Sequence, residues 1–160
     1  MVDPRRLLGI DHGSTVIGVA ICDASGLIAR PLRLISRTTR AADFAALAKL
    51  IHEYQVGGLV VGLPITEARF QATSQAPIVE RWAARLAASI DLPVYFWDET
   101  LSSDSAHQLA DQIGRDPDAR IDDLAAAIVL QSFLDNHPPG TPYPPVVAPG
   151  RHATPLPPSI

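Results

Sequence analysis

The run Leu59-Val60-Val61-Gly62-Leu63-Pro64 contains no polar residue, is bounded by Gly57-Gly58 before it and by a proline at its end, and is too short for a helix. A run of this kind is a strand buried on both faces, and such strands belong to sheets with helices above and below. That restricts the chain to a layered α/β fold. Upstream, Leu7-Leu8-Gly9-Ile10 and Ile17-Gly18-Val19-Ala20-Ile21-Cys22 are two further apolar runs separated by a short polar turn. Leu27 to Ile35 is apolar at intervals and interrupted by Pro31, which suits an edge strand or a bulge because proline donates nothing to a ladder. The chain opens as a three-strand meander.

The period then changes. Phe44, Leu47, Leu50, Ile51 and Tyr54 recur at three- and four-residue steps, predicting an amphipathic helix stopped by Gly57-Gly58. Thr66 to Gln75 reads as a loop. A second helix runs from about Pro77 to Ser89, with Ile78, Val79, Trp82, Leu86 and Ile90 on one side. Leu92 to Trp97 is a fifth strand that delivers Asp98-Glu99. Ser102 or Ser103 caps a helix over Ala106, Leu109 and Ile113, and Arg115 to Arg120 is a charged linker. Asp122-Asp123 starts a last helix whose apolar residues wrap widely enough to pack into the sheet. The predicted order is βββαβαβαα, with a mixed five-stranded sheet flanked by helices.

Composition sets the limits of the folded unit. Of fifteen prolines, nine lie beyond residue 137, so residues 137–160 read as a passive, disordered or polyproline-like tail and residues 1–136 as one domain. Thirteen basic and seventeen acidic side chains give a net charge of −4, and Lys49 is the sole lysine. No global cationic field favours tight nonspecific binding to a polyanion. Cys22 is alone, which excludes an internal disulfide and a thiolate metal site. No apolar stretch approaches the length of a membrane span, so the expected setting is cytoplasmic, with no membrane partner.

Most surface carboxylates are simply solvated, but position separates three of them. Asp11 follows an apolar strand and precedes Gly13, Glu99 follows the fifth strand, and Asp122 opens an otherwise apolar helix. Strand ends and helix starts on one sheet edge can converge. Three carboxylates so gathered form an oxygen-rich site of the kind hard divalent cations require. Left unneutralised, the cluster would repel itself, which makes Mg²⁺ or Mn²⁺ its natural partner. Two such ions can generate a hydroxide and stabilise the leaving oxygen in phosphodiester hydrolysis. Each residue also has a structural reading: a turn carboxylate at Asp11, a helix-approach residue at Glu99, an N-cap at Asp122.

Five segments come in a fixed order: Leu8 to Ala20 around Asp11-His12-Gly13, then Ala29-Arg30-Pro31-Leu32, Val60-Val61-Gly62-Leu63-Pro64, Asp98-Glu99-Thr100-Leu101-Ser102-Ser103 and Ile121-Asp122-Asp123-Leu124 to Gln131. Together they resemble the YqgF/RuvX family, over about residues 7–135. The resemblance implies an RNase H-like fold and a small nuclease, described in the family as Holliday-junction-resolvase-like and as a processing enzyme for the 5′ end of pre-16S rRNA. It implies that Asp11 bridges two divalent ions and that Glu99 and Asp122 complete the catalytic and metal site. Asp98 and Asp123, each one residue away, rank below them because a one-residue offset reverses the side chain's direction. Expected partners are structured RNA or branched DNA, bound by a monomer or a homodimer.

The chain also departs from that pattern. Family members usually carry basic residues in the first turn, where this chain has Ser14-Thr15-Val16, and an arginine where it has Thr100. The loop after Pro64 holds a single arginine, Arg69. Arg30, Arg33, Arg37, Arg40 and Arg69 are left as phosphate contacts, set against an ordinary surface role for exposed arginines, and of these Arg30 and Arg69 are the candidate nucleic-acid contacts. Two other readings compete: a four-way-junction DNA endonuclease, and a binding module that kept the fold and lost productive contacts. A third, drawn from the likeness of Asp11-His12-Gly13-Ser14-Thr15 to an ATPase phosphate hairpin, fails on length, since such enzymes close two domains around the nucleotide. His12, Trp82 and Trp97 read as packed residues rather than as base, ligand or stacking platform.

Overall fold

The computed structural model describes residues 3–63, 76–98, 108, 111 and 121–147. The strands are β1 (Asp3–His12), β2 (Val16–Cys22), β3 (Ala29–Ser36), β4 (Val56–Leu63) and β5 (Val94–Asp98). The helices are α1 (Arg40–Glu53), α2 (Ala76–Ser89) and α3 (Ile121–Asn136). The sheet order is β3-β2-β1-β4-β5. β1, β2 and β3 are antiparallel neighbours, whereas β4 and β5 run parallel to β1. The mixed sheet expected from the runs is therefore present, with β1 at its centre.

Alternation along the strands sorts the core into two layers. Leu8, Ile10, Ile17, Val19, Leu59, Val61 and Val94 share one layer with Leu47 and Leu50 of α1 and Trp82 and Leu86 of α2. Leu7, Ala20, Cys22, Val60 and Tyr95 share the other with Ala126, Leu130 and Phe133 of α3. All eight residues of β4 are buried, as a strand covered on both faces must be. At Gly9 the sheet and α3 nearly touch: a Cβ there would stand 2.6 Å from Leu130 Cβ and 2.8 Å from the Ala126 carbonyl oxygen. Pro31 sits on the edge strand at the register shift between Val19 and Ala20, so the edge and bulge readings both hold.

Two boundaries differ from expectation. Gly57-Gly58 does not stop α1; the chain reverses at Gln55, whose φ is 54°, and both glycines lie inside β4. Gly58 pairs with Leu7 across the parallel ladder, and a side chain there would stand 3.0 Å from Leu7 Cδ2, which would have to give way. The second difference is at the C-terminal side. Residues 137–147 pack on the domain instead of leaving it at 136: the Val147 N–H donates to the Val94 carbonyl at 2.7 Å, and the Tyr143 ring lies 5.3 Å from Tyr95 and 5.5 Å from Phe133. The segment meets the edge strand β5 at Val94 and Tyr95, a position where proline is tolerated and an unpaired strand would invite pairing.

The predicted loop over Thr66–Gln75 and the helix over Ala106–Ile113 lie outside the described residues, save that Gln108 and Asp111 are helical. The linker at Arg115–Arg120 and residues 148–160 of the tail lie outside them too. No helix among the described residues is long and apolar enough to cross a membrane.

Candidate active site

Parallel pairing gives β1, β4 and β5 a common C-terminal edge. Ile10 is level with Val61, and Val61 with Phe96, so Asp11, Gly62 and Trp97 follow on one line across the sheet. Asp11 is half-exposed. By alternation with Leu7 and Gly9 it faces the α3 layer. α3 meets Gly9 through Ala126 and Leu130, and its Gln131 bonds Ala29 N–H and the Leu27 carbonyl beyond the start of β1. The order of these contacts turns the N-terminal end of α3 toward Asp11.

Of the three expected site carboxylates, the structure describes the Asp11 side chain alone. Asp122 is the second residue of α3, but its side chain, with that of Asp123, lies outside the described residues, as does the whole of Glu99. Among the described residues no three of His, Cys, Asp and Glu are grouped so as to hold a metal ion. Asp98 closes β5, 6% exposed, and alternates with Trp97, which packs toward α3. Asp98 is thus turned to the α1/α2 layer, away from Asp11.

His12 faces the same way as Asp98. Its ring stands 4.6 Å from that of Trp82, and its Nε2 is buried with no hydrogen-bond partner. Burial, and next the charge of Arg37, push the imidazole down from 6.5 to about 4, so it is neutral near neutral pH. Alternation along β1 predicts a packed histidine at this position, and the ring is packed. Trp82 is core, 6% exposed, and Trp97 donates its indole N–H to Ser132 Oγ at 3.0 Å.

The arginines are dispersed. Arg30 is exposed on β3 opposite Ile21, which pairs with Leu8, three residues before Asp11. Its partner Ile21 belongs to the layer opposite Asp11, so the sheet does not bring Arg30 to that carboxylate. Arg69 lies outside the described residues. Arg37 is held at the β1–β2 turn, on the α1/α2 side of the sheet. Its Nη1 donates to the carbonyls of Gly13 at 2.9 Å and Ser14 at 3.2 Å, and its Nε lies 4.0 Å from Asp43 Oδ2. The signal for it was available in the meander: antiparallel β2 and β3 return the end of β3 beside the β1–β2 turn, as the pair Val16 and Ser36 shows.

The RuvX family profile, described as Holliday junction resolvase, matches residues 5–136. A protein of Syntrophus aciditrophicus named "Putative pre-16S rRNA nuclease" is 39% identical over 135 residues, which cover 81% of this chain and 88% of that one. A protein of Acaryochloris marina with the same name is 40% identical over 134 residues, covering 82% and 92%. Among solved structures, RuvC of T. thermophilus in complex with a Holliday junction substrate superposes with a TM-score of 0.56 at 18% identity, covering 80% of this chain and 91% of that one. That likeness shows the fold, an RNase H-like mixed sheet. With the family profile spanning both the strand that carries Asp11 and the helix that Asp122 opens, the chain belongs to the RuvX (YqgF) family.

Proposed function

We propose that this protein is a divalent-metal-dependent nuclease that processes the 5′ end of pre-16S rRNA in the cytoplasm, with Asp11, Glu99 and Asp122 as its catalytic carboxylates. The observation that carries the reading is Asp11 itself: a half-exposed carboxylate at the C-terminal end of the central strand, on the layer where α3 begins. The family and the name borne by its relatives support the substrate.

The donor chemistry suits the ion. Three carboxylates offer only hard oxygens, which match Mg²⁺ or Mn²⁺ and not a soft metal, and His12 is turned away from Asp11 and contributes no nitrogen. When bound, a pair of such ions activates water and stabilises the leaving oxygen of the phosphodiester. The chain's own part is positional. The rigid central strand holds Asp11, paired to Gly18, and the tight contact of α3 on Gly9 sets where the helix starts. Arg30 and Arg69 contact the nucleic acid in this reading, Arg30 from the edge strand.

A second reading, cleavage of branched DNA, is favoured by the family's description as a Holliday junction resolvase. Such an enzyme cuts two strands symmetrically and should act as a homodimer, whereas an RNA-processing enzyme can act as a monomer. Cleavage of end-labelled pre-16S leader RNA and of a four-way DNA junction, side by side with Mn²⁺ or EDTA, tests both. Metal-dependent cutting of one substrate selects the reading. No cutting of either by folded protein would sink the nuclease proposal and leave a binding module.

A further inference from the structure

The β1–β2 turn, Gly13-Ser14-Thr15, carries no cation of its own, yet one is built into it from outside. The Arg37 N–H donates to the Thr15 carbonyl at 2.9 Å, while its guanidinium holds the carbonyls of Gly13 and Ser14. Behind it, Asp43 is 3% exposed and accepts the Thr38 N–H at 3.1 Å, which fixes the chain segment from which Arg37 projects. We propose that Arg37 grips a backbone phosphate of the nucleic-acid strand beside this turn, so that one end of the substrate is anchored on the α1/α2 side while Asp11 acts on the α3 side. The inference rests on the nuclease reading above and names a binding residue for it.

Three features carry it. A guanidinium has five N–H donors; Nη1 is spent on the turn and Nε faces Asp43, but the donors on Nη2 meet no partner among the described residues. The side chain stays 31% exposed and lines an open cavity of about 520 Å³ with His12, Gly13, Ser14 and Ile78. The geometry is also pre-set, since a guanidinium already held by two carbonyls loses little freedom when it binds, and its planar fork matches a phosphate. Gly13, whose carbonyl Arg37 holds, is two residues from Asp11, so a strand laid over this edge of the sheet meets both. Phosphate contacts of this kind fix register and carry no base sequence.

The bland alternative is a staple that only satisfies the turn's carbonyls. Salt dependence separates the two. Binding of pre-16S leader RNA and of a four-way DNA junction would be measured in EDTA across a salt series that spans the range from about 50 to 200 mM KCl. The proteins compared are wild type, Arg37→Gln, Arg37→Lys and the double variant Arg37→Gln with Ser14→Lys. Cleavage by the same proteins would be followed with Mn²⁺. Expected is a drop of about 0.7–0.9 in the slope of log K against log salt for Arg37→Gln, with KM raised and kcat largely kept. Arg37→Lys and the added lysine at position 14 should each restore most of the slope. If Arg37→Gln melts earlier but keeps the wild-type slope and KM while the wild type still cuts, Arg37 is a staple and the inference is overturned alone. A wild type that neither binds nor cuts either nucleic acid overturns the nuclease reading and this inference with it.

Discussion

Gly9 of the central strand and Leu130 of α3 are packed so closely that no side chain fits between them, since a Cβ on Gly9 would come within 2.6 Å of the Leu130 Cβ. This contact sets the height of α3 above the sheet, and therefore the distance from Asp11 to the helix start. Gly9→Ala should force the helix outward and destabilise the fold by about 1–3 kcal/mol, the usual cost of overpacking. A urea titration reads it, and Leu130→Ala in the same chain should not rescue it, because alanine keeps the Cβ and the Ala126 carbonyl stays where it is. An unchanged midpoint would mean that α3 slides on β1 at no cost.

Asp11→Asn should reduce cleavage to background while the melting temperature stays within about 2–4 °C of wild type, because the half-exposed strand-end side chain is a minor part of the packing. Loss of the folded state in this variant would show that Asp11 is a structural residue.

His12 predicts a pH dependence whose sign can be worked out. Its folded-state value is about 4 against 6.5 for the free group, so between those values the unfolded chain binds the extra proton. Stability is full above pH 6.5 and is lost as the pH falls toward 4. His12→Phe, which keeps a ring beside Trp82, should flatten the stability profile in that window when measured by denaturant titration without metal. An equally steep profile in the variant would assign the dependence to other groups.

Two truncations separate the covering segment from the residues beyond it. Ending the chain after residue 137 removes the Val147 to Val94 hydrogen bond and the Tyr143 ring contacts, and should cost about 1–3 kcal/mol and expose the edge of β5 to self-association. Ending it after residue 147 should leave the melting temperature and cleavage unchanged. Melting curves and sizing at two concentrations give both answers, and equal stability of the two would return residues 137–147 to the status of a passive tail.

Much of the fold is legible locally because strands and helices write their periods into the chain. The unbroken run at Leu59–Leu63 marked a strand covered on both faces, Pro31 marked the bulged edge, and the three-to-four spacing through Phe44–Tyr54 marked α1. Asp11 stood out because a carboxylate directly after an apolar strand is a positional fact. His12 could be set apart from it because adjacent strand residues face opposite layers.

What the sequence by itself determined was therefore the order of the five strands and of the three helices described, the burial of β4 on both faces and the carboxylate that follows the first apolar run. Tertiary structure alone decided the rest, for a physical reason: pairing between distant segments leaves no period in the chain. Gly57-Gly58 looked like a helix stop, and only the approach of Leu7 shows that Gly58 serves a strand. The proline-rich stretch after 137 looked like an unpacked tail, and only Val94 at the edge of β5 and the ring of Tyr95 give its described part, through Val147 and Tyr143, a place to dock. Arg37 looked like one exposed cation among several; its hold on Gly13 and Ser14 exists because antiparallel pairing returns β3 to the turn that follows Asp11.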